Sequence, residues 1–175
     1  MGFSVTIASS VILIGLLAAF TSVSVAVFQG LKELSYATKE YFNRERERLD
    51  VQLQLKVEAV NATSCNITVK NTGCKTIFLR SQNGFQWNTI LLSYENNSHW
   101  HSYMIEQYEV LEVKVSNTSC SFNSSSHNFI NPGEEALISF NIPAGAPEIP
   151  IQGVVSVAFA THYGVTAKAE GVRRS

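Results

Sequence analysis

Four histidines and three cysteines are the residues of this 175-residue chain whose types could bind a metal or act as nucleophiles. His99 and His101 stand two apart in His-Trp-His, on one side of any extended segment, while His127 and His162 are distant in sequence. A metal site needs three or four convergent ligands, and the chain has neither Cys-x-x-Cys nor His-x-x-x-His spacing. The histidines therefore read as solvated loop residues, and neither a metal nor a cofactor is expected. There is no Gly-x-Ser-x-Gly elbow and no phosphate-cradling Gly-rich loop, and Glu134-Glu135 after Pro132-Gly133 reads as a polar turn entering a strand. Catalysis is not expected.

Modification chemistry is better represented. Asn61, Asn66, Asn96, Asn117 and Asn123 each open an Asn-x-Ser/Thr triplet, and these five candidate glycosylation sites argue for a body outside the cytoplasm. Cys65 shares the apolar parity of Ile67 and Val69 and reads as a small core residue, whereas Cys74 and Cys120 have turn-like surroundings. An oxidising compartment allows one bridge in any of three pairings, with Cys74–Cys120 the preferred candidate. Phe85, Trp87, Trp100 and Tyr103 read either as an aromatic contact surface or as core anchors.

The elements that position these groups begin in an apolar stretch. Residues 3–31 contain no Asp, Glu, Lys or Arg. Such a run exceeds the ~20 residues that cross ~30 Å of hydrocarbon, so residues 1–30 are expected to be a transmembrane anchor. Only Met1 and Gly2 precede it and its apolar core is long, which favours an uncleaved anchor over a secretory signal, although Ser24 and Ala26 offer a small-x-small cleavage pair. Ala18, Ser22, Ala26 and Gly30 recur every fourth residue as a candidate helix-packing face. Residues 31–50 hold five basic and five acidic side chains at helical spacings and no Pro or Gly, which predicts a charged stalk continuing the same helix from about Ser4 to about Leu49. About 45 helical residues would span roughly 68 Å, enough to raise a body off the lipid.

At Asp50 the period changes. Apolar Val51, Leu53, Leu55, Val57 and Ala59 alternate with Gln52, Gln54, Lys56 and Glu58, which predicts a strand with one wet face. Further strands are expected at 65–70, 75–80, 87–94, 108–115, 136–142, 154–161 and 165–169, bounded by turns such as Asn71-Thr72-Gly73, Asn83-Gly84 and Asn131-Pro132-Gly133. With no helical pattern between them, residues 51–175 read as one all-β antiparallel sandwich domain. A net charge of -1 leaves no electrostatic footprint for nucleic acid. The basic residues after the anchor would place the body inside by the positive-inside rule; the sequons place it outside and are given the greater weight.

Taken in order, Met-Gly-Phe-Ser-Val, the uncharged apolar segment, the charged helix 39–48, the strand 51–60, Ile67-Thr-Val-Lys-Asn-Thr-Gly73 and the turn Asn131-Pro132-Gly133-Glu134-Glu135-Ala136 before Leu137-Ile-Ser-Phe140 resemble the archaellum stator proteins FlaF and FlaG. The Met-Gly-Phe-Ser start favours FlaF. The resemblance implies a single-pass protein of the cytoplasmic membrane whose immunoglobulin-like sandwich lies in the extracytoplasmic space. There it would bind surface-layer protein, contact other archaellum motor components and anchor the rotary motor. It also implies a homo-oligomer, a dimer through the sandwich, or a FlaF–FlaG complex. The alternatives are a FlaG-like filament-forming stator subunit and an archaellin or type IV pilin-like filament subunit, against which the missing basic leader counts. A surface receptor using the aromatics near Trp100 is a third class.

Overall fold

The computed structural model describes residues 2–82 and 84–174, and side chains from Ile7 onward except those of residues 83, 85 and 175. The chain divides into two compact units, Met1–Glu45 and Arg46–Ser175.

The first unit is helical, part of α1 (Gly2–Leu49), which continues the expected anchor into the expected stalk without a break. Ile7–Leu49 contains a window of mean hydropathy 2.5 with none of it buried, so the helix is long and apolar enough to cross a membrane. Three hydroxyls of its apolar half bond back to the helix: Thr21 and Ser22 donate to the Ala18 carbonyl at 2.9 and 2.8 Å, and Ser24 donates to that of Phe20 at 2.8 Å. Ser22 therefore offers a neighbouring helix a small surface rather than a free hydroxyl. In the charged half, Arg44 donates to Glu40 one turn earlier, the expected i,i+4 pair.

In the second unit the helix ends where helical periodicity gives way to alternation. The Asp50 and Val51 amides still donate to the carbonyls of Arg46 and Arg48, and Val51 is buried. Strands β1 (Leu53–Val60), β2 (Ser64–Asn71), β11 (Glu134–Asn141), β8 (Glu109–Val115) and β9 (Ser121–Phe122) form one antiparallel sheet in that spatial order. Strands β13 (Thr166–Val172), β12 (Val154–Ala160), β6 (Thr89–Asn96) and β7 (His99–Ile105) form the second. Two short pairs, β3 (Ile77–Phe78) with β10 (Phe129–Ile130) and β4 (Ser81–Gln82) with β5 (Phe85–Gln86), complete the β structure.

The sandwich follows from period-two burial. Every second residue of β2, β11 and β12 is buried, and Ile67, Val69, Val113 and Ile138 of one sheet meet Ile90, Leu92, Val157 and Phe159 of the other in a common core. Fully burying such a side chain contributes about 1.5–3 kcal/mol. Along one side β13 runs so close to β1 that a Cβ on Gly171 would lie 2.4 Å from Val57 Cγ1, so this crossing requires glycine.

Three sequence expectations change. The strand expected over 75–80 contracts to Ile77–Phe78. His99 and His101 lie on strand β7 rather than in a loop, paired with Asn96 and Tyr94. Glu134 is buried rather than part of a solvated turn. Asn83 of the expected Asn83-Gly84 turn lies outside the described residues.

Candidate interaction surface

Among the described residues no group of three or more His, Cys, Asp or Glu side chains converges as a metal site. The informative geometry is in the two outer sheet faces, whose composition follows from register. On the β1–β2–β11–β8 sheet, Gln54, Lys70, Glu135 and Lys114 form one row and Lys56, Thr68, Leu137 and Glu112 the next. Opposite charges interleave: Lys114 meets Glu135 at 3.3 Å, Lys56 meets Glu58 at 2.8 Å and Thr68 donates to Glu58 at 2.9 Å. The Lys56 hydrogen bond outweighs partial burial and holds the Glu58 carboxyl below its ordinary value. This face suits water.

The outer face of the β13–β12–β6–β7 sheet differs. One row across β7, β6, β12 and β13 is Met104, Leu91, Ala158 and Lys168, and the next is Ser102, Ser93, Ser156 and Glu170. Trp100 stands beside Glu95 at the hairpin end. The centre is small or apolar and charge sits at the rim, with Trp100 67% and Met104 59% exposed. Large exposed apolar side chains rimmed by polar ones mark contact surfaces more often than single exposed leucines do.

The expected aromatic group does not assemble as one surface. Trp100 faces outward, whereas Tyr103 turns to the opposite side of β7 and stacks parallel to His101 with centroids 6.2 Å apart. Trp87 belongs to a separate cluster, 6.4 Å from Phe78 and 5.7 Å from His162, with the Arg80 guanidinium 5.0 Å from the Phe78 ring. Burial lowers the basicity of His162. The Phe85 side chain lies outside the described residues.

The turn before β11 is built more tightly than its sequence suggests. Pro132 and Gly133, the latter at φ 82°, form the centre of a turn closed by the Glu134 amide donating to the Asn131 carbonyl. The Glu134 carboxylate then accepts from the Asn131 amide at 2.7 Å and from His127 Nε2 at 3.0 Å. Burial pushes this carboxyl upward, but the hydrogen bonds from His127 and Asn131 outweigh it and hold it below the ordinary value. His127 is packed between Phe122 and Phe129, with centroids 4.6 and 4.0 Å away. Buried Asn71 fastens the adjoining loops by donating to the carbonyls of Lys75 and Ile130. Sequence reasoning missed these two polar anchors; an Asn at a buried strand end and a Glu beside a Pro-Gly turn were their only signal.

The remaining candidates are dispersed. Asn61, Asn117 and Asn123 are exposed in turns, Asn66 lies half-buried on the charged face, and Asn96 closes the β6–β7 hairpin, where its amide donates to the Glu148 carbonyl at 2.7 Å. Asn123 Oδ1 accepts from the Ser125 amide and hydroxyl of its own triplet. All three cysteines are free thiols, so the expected Cys74–Cys120 bridge is not formed; both are exposed, while Cys65 is buried and its thiol is pushed up to about 12 by desolvation.

No model of a known protein family matches the chain, and no curated protein matches it. Among solved structures it is similar to the archaeal flagellum of Methanospirillum hungatei strain JF1, at 12% identity and TM-score 0.61 over 96% of this chain and 93% of that one. That likeness takes in the helix and the sandwich together and establishes the fold. The neighbours also include the archaellum periplasmic stator complex of FlaF and FlaG from Sulfolobus acidocaldarius, at 13% identity and TM-score 0.41 over 70% of this chain and 88% of that one. FlaG from the same organism overlaps at 14% identity and TM-score 0.39, over 69% of this chain and 100% of that one. Both stator structures overlap only loosely.

Proposed function

We propose that this chain is a structural component of an archaellum, held in the cytoplasmic membrane by the apolar part of α1 with its sandwich outside the cell membrane. The observation that carries this reading is the order of parts: a helix of lipid-crossing length followed by an antiparallel sandwich, a layout similar to the archaeal flagellum over 96% of the chain. Within the archaellum we assign it to the stator. Its sparsely charged sheet face would meet surface-layer protein, and other motor components or a second stator chain would be its neighbours. The chain would self-associate there, and the five Asn-x-Ser/Thr sites would be open to glycan. Its role is to bear load, not to catalyse.

Charge separates this assignment from the filament reading. Five basic and five acidic side chains between Leu31 and Asp50 are expensive to bury among close-packed copies of the same helix, because each ion removed from water must find a partner. A stalk in water carries them without cost. The filament reading nevertheless has a specific observation in its favour, since the flagellum likeness includes the helix.

Fractionation of cells expressing the tagged full chain tests both. The stator reading expects the chain in membranes, co-purifying with surface-layer and motor proteins, and cells lacking it to have absent or immobile filaments. Recovery of the chain as a stoichiometric part of sheared filaments would overturn the stator assignment in favour of a filament subunit. Recovery from the cytosol would overturn both.

A further inference from the structure

Arg80 and Trp87 stand opposite each other at the base of the β4–β5 hairpin, where the Trp87 amide donates to the Arg80 carbonyl at 2.9 Å. Opposed residues of a hairpin put their side chains on one face, so the Arg80 guanidinium lies against aromatic rings, 5.0 Å from the centroid of Phe78 and 5.8 Å from that of Trp87. Phe78, Trp87 and His162 are in mutual contact, with centroids 5.7 to 6.4 Å apart. Together they form a three-ring shelf with an arginine on it, and the Trp87 ring is 39% exposed.

The fold holds this shelf still. Phe78 is paired into β3, and buried Asn88 ties the other parts to it: its Nδ2 donates to the Phe78 carbonyl at 2.7 Å, and its Oδ1 accepts from the His162 amide at 3.1 Å. A site that is already ordered loses less entropy on binding.

The groups left over are selective. Among the described residues the exposed Arg80 guanidinium has no carboxylate partner, and Gln82, the next residue on its face of the hairpin, is uncharged. A guanidinium only donates, in a fork that fits a planar carboxylate. His162 offers the converse. Its Nδ1 lies 3.3 Å from Asn88 Oδ1, which can only accept, so the ring proton belongs on Nδ1 and Nε2 is an acceptor. Between the two lies the indole, whose negative face attracts the polarised C–H bonds on one side of a pyranose ring.

We propose that Arg80, Trp87 and His162 form a binding site for a carboxylated sugar, a uronic acid unit of a glycan. The sugar ring lies on the exposed part of the indole, its carboxylate enters the Arg80 fork and a hydroxyl donates to His162 Nε2. An acidic peptide side chain matches Arg80 alone, and a neutral sugar leaves the guanidinium without an anion; the uronic acid matches all three groups. The site is separate from both outer sheet faces, and the inference rests on the shelf's geometry, not on the archaellum assignment.

The test uses the isotope-labelled full-length chain in micelles of a detergent without a sugar headgroup, and follows the indole N–H resonances of Trp87 and Trp100, assigned with Trp100→Phe. Glucuronate or galacturonate is expected to move the Trp87 resonance saturably and leave that of Trp100 in place. Acetate, glucose and a capped aspartate peptide are each expected to bind roughly tenfold more weakly or less. Arg80→Gln should weaken the uronate roughly tenfold or more, and Arg80→Lys, which keeps the charge without the fork, should lose most of that affinity too. Lys70→Gln, on the charged sheet face, should leave binding unaltered. The unaltered chain alone can refute the idea: no saturable Trp87 shift with either uronate overturns it. Equal binding of acetate would mean a plain anion site, and equal or tighter binding of the peptide would give the arginine to a protein partner; each also overturns it. So does full affinity in both Arg80 variants. Failure here leaves the archaellum reading to be decided by fractionation.

Discussion

The two outer faces of the sandwich share one core yet are written in different chemistry. Across β1, β2, β11 and β8 the rows carry lysine and glutamate among Gln, Thr and Leu, and the ions pair along and across strands. Across β7, β6 and β12 the corresponding rows are Ser, Ala, Leu and Met, with charge confined to Glu95, Lys168 and Glu170 at the margins. Ladders of opposite charge keep a face wetted and discourage flat docking, whereas a face of small residues flanked by Trp100 and Met104 loses little on desolvation. The proposed function draws on this difference: one face is suited to solvent and the other, with its open edge strand, to contact with another protein.

The sharpest way to examine this division is to substitute adjacent residues on either side of one strand. Ile138→Ala, inside the core, should destabilise the fold by about 2–5 kcal/mol in denaturant titration, while Leu137→Ala, on the charged face, should cost less than about 1 kcal/mol. Similar losses would mean that the charged face is covered. Glu134→Ala should be next, at about 1–3 kcal/mol in the same titration, since it strands the Asn131 amide and His127 without their acceptor.

Ser102→Lys sets a charge in the middle of the sparsely charged face proposed for self-association. It should weaken self-association at least tenfold by sedimentation, about 1.4 kcal/mol, with fold stability unchanged within about 0.5 kcal/mol. Thr68→Lys on the charged face should leave association unaltered. Glu135→Ala, which removes the partly exposed partner of Lys114, is expected to cost no more than about 0.5–1 kcal/mol.

The smallest effect is in acid. The Glu134 and Glu58 carboxyls lie below their ordinary value of 4.5 in the folded chain, so their contribution is complete above that pH and is lost as pH falls through the depressed folded values. Thermal melts should show stability declining below about pH 4.5, and Glu134→Gln should flatten that decline.

Much of the architecture could be read from periodicity. The uncharged run through residue 31 and the charge-dense segment after it gave a continuous helix, and the unbroken alternation from Val51 marked β1 to within two residues. The Asn131-Pro132-Gly133 turn announced itself because proline fixes the φ of its first central position and glycine accepts the positive φ of its second. β7 did not, since its turn uses Asn97-Ser98 without glycine and its histidines resemble loop residues. The pairing of β2 with β11, across the 62 residues between Asn71 and Glu134, carries no local signal at all. Nor does period reveal that Glu134 is buried, because its acceptor role depends on His127 and Asn131 being brought to it by the fold.

Site residues were less legible than the fold for the same reason. An interaction face is defined by which rows of different strands lie side by side, and Met104, Leu91 and Ala158 become neighbours only through register.

The exposed thiols give the most direct measurement of the central claim, that the sandwich lies outside a membrane crossed by α1. Intact cells should be reduced and treated with a membrane-impermeant maleimide, and the purified chain weighed. The account predicts labels on Cys74 and Cys120, and none on buried Cys65, before any permeabilisation. Labelling of Cys74 and Cys120 only after the cells are opened would contradict it.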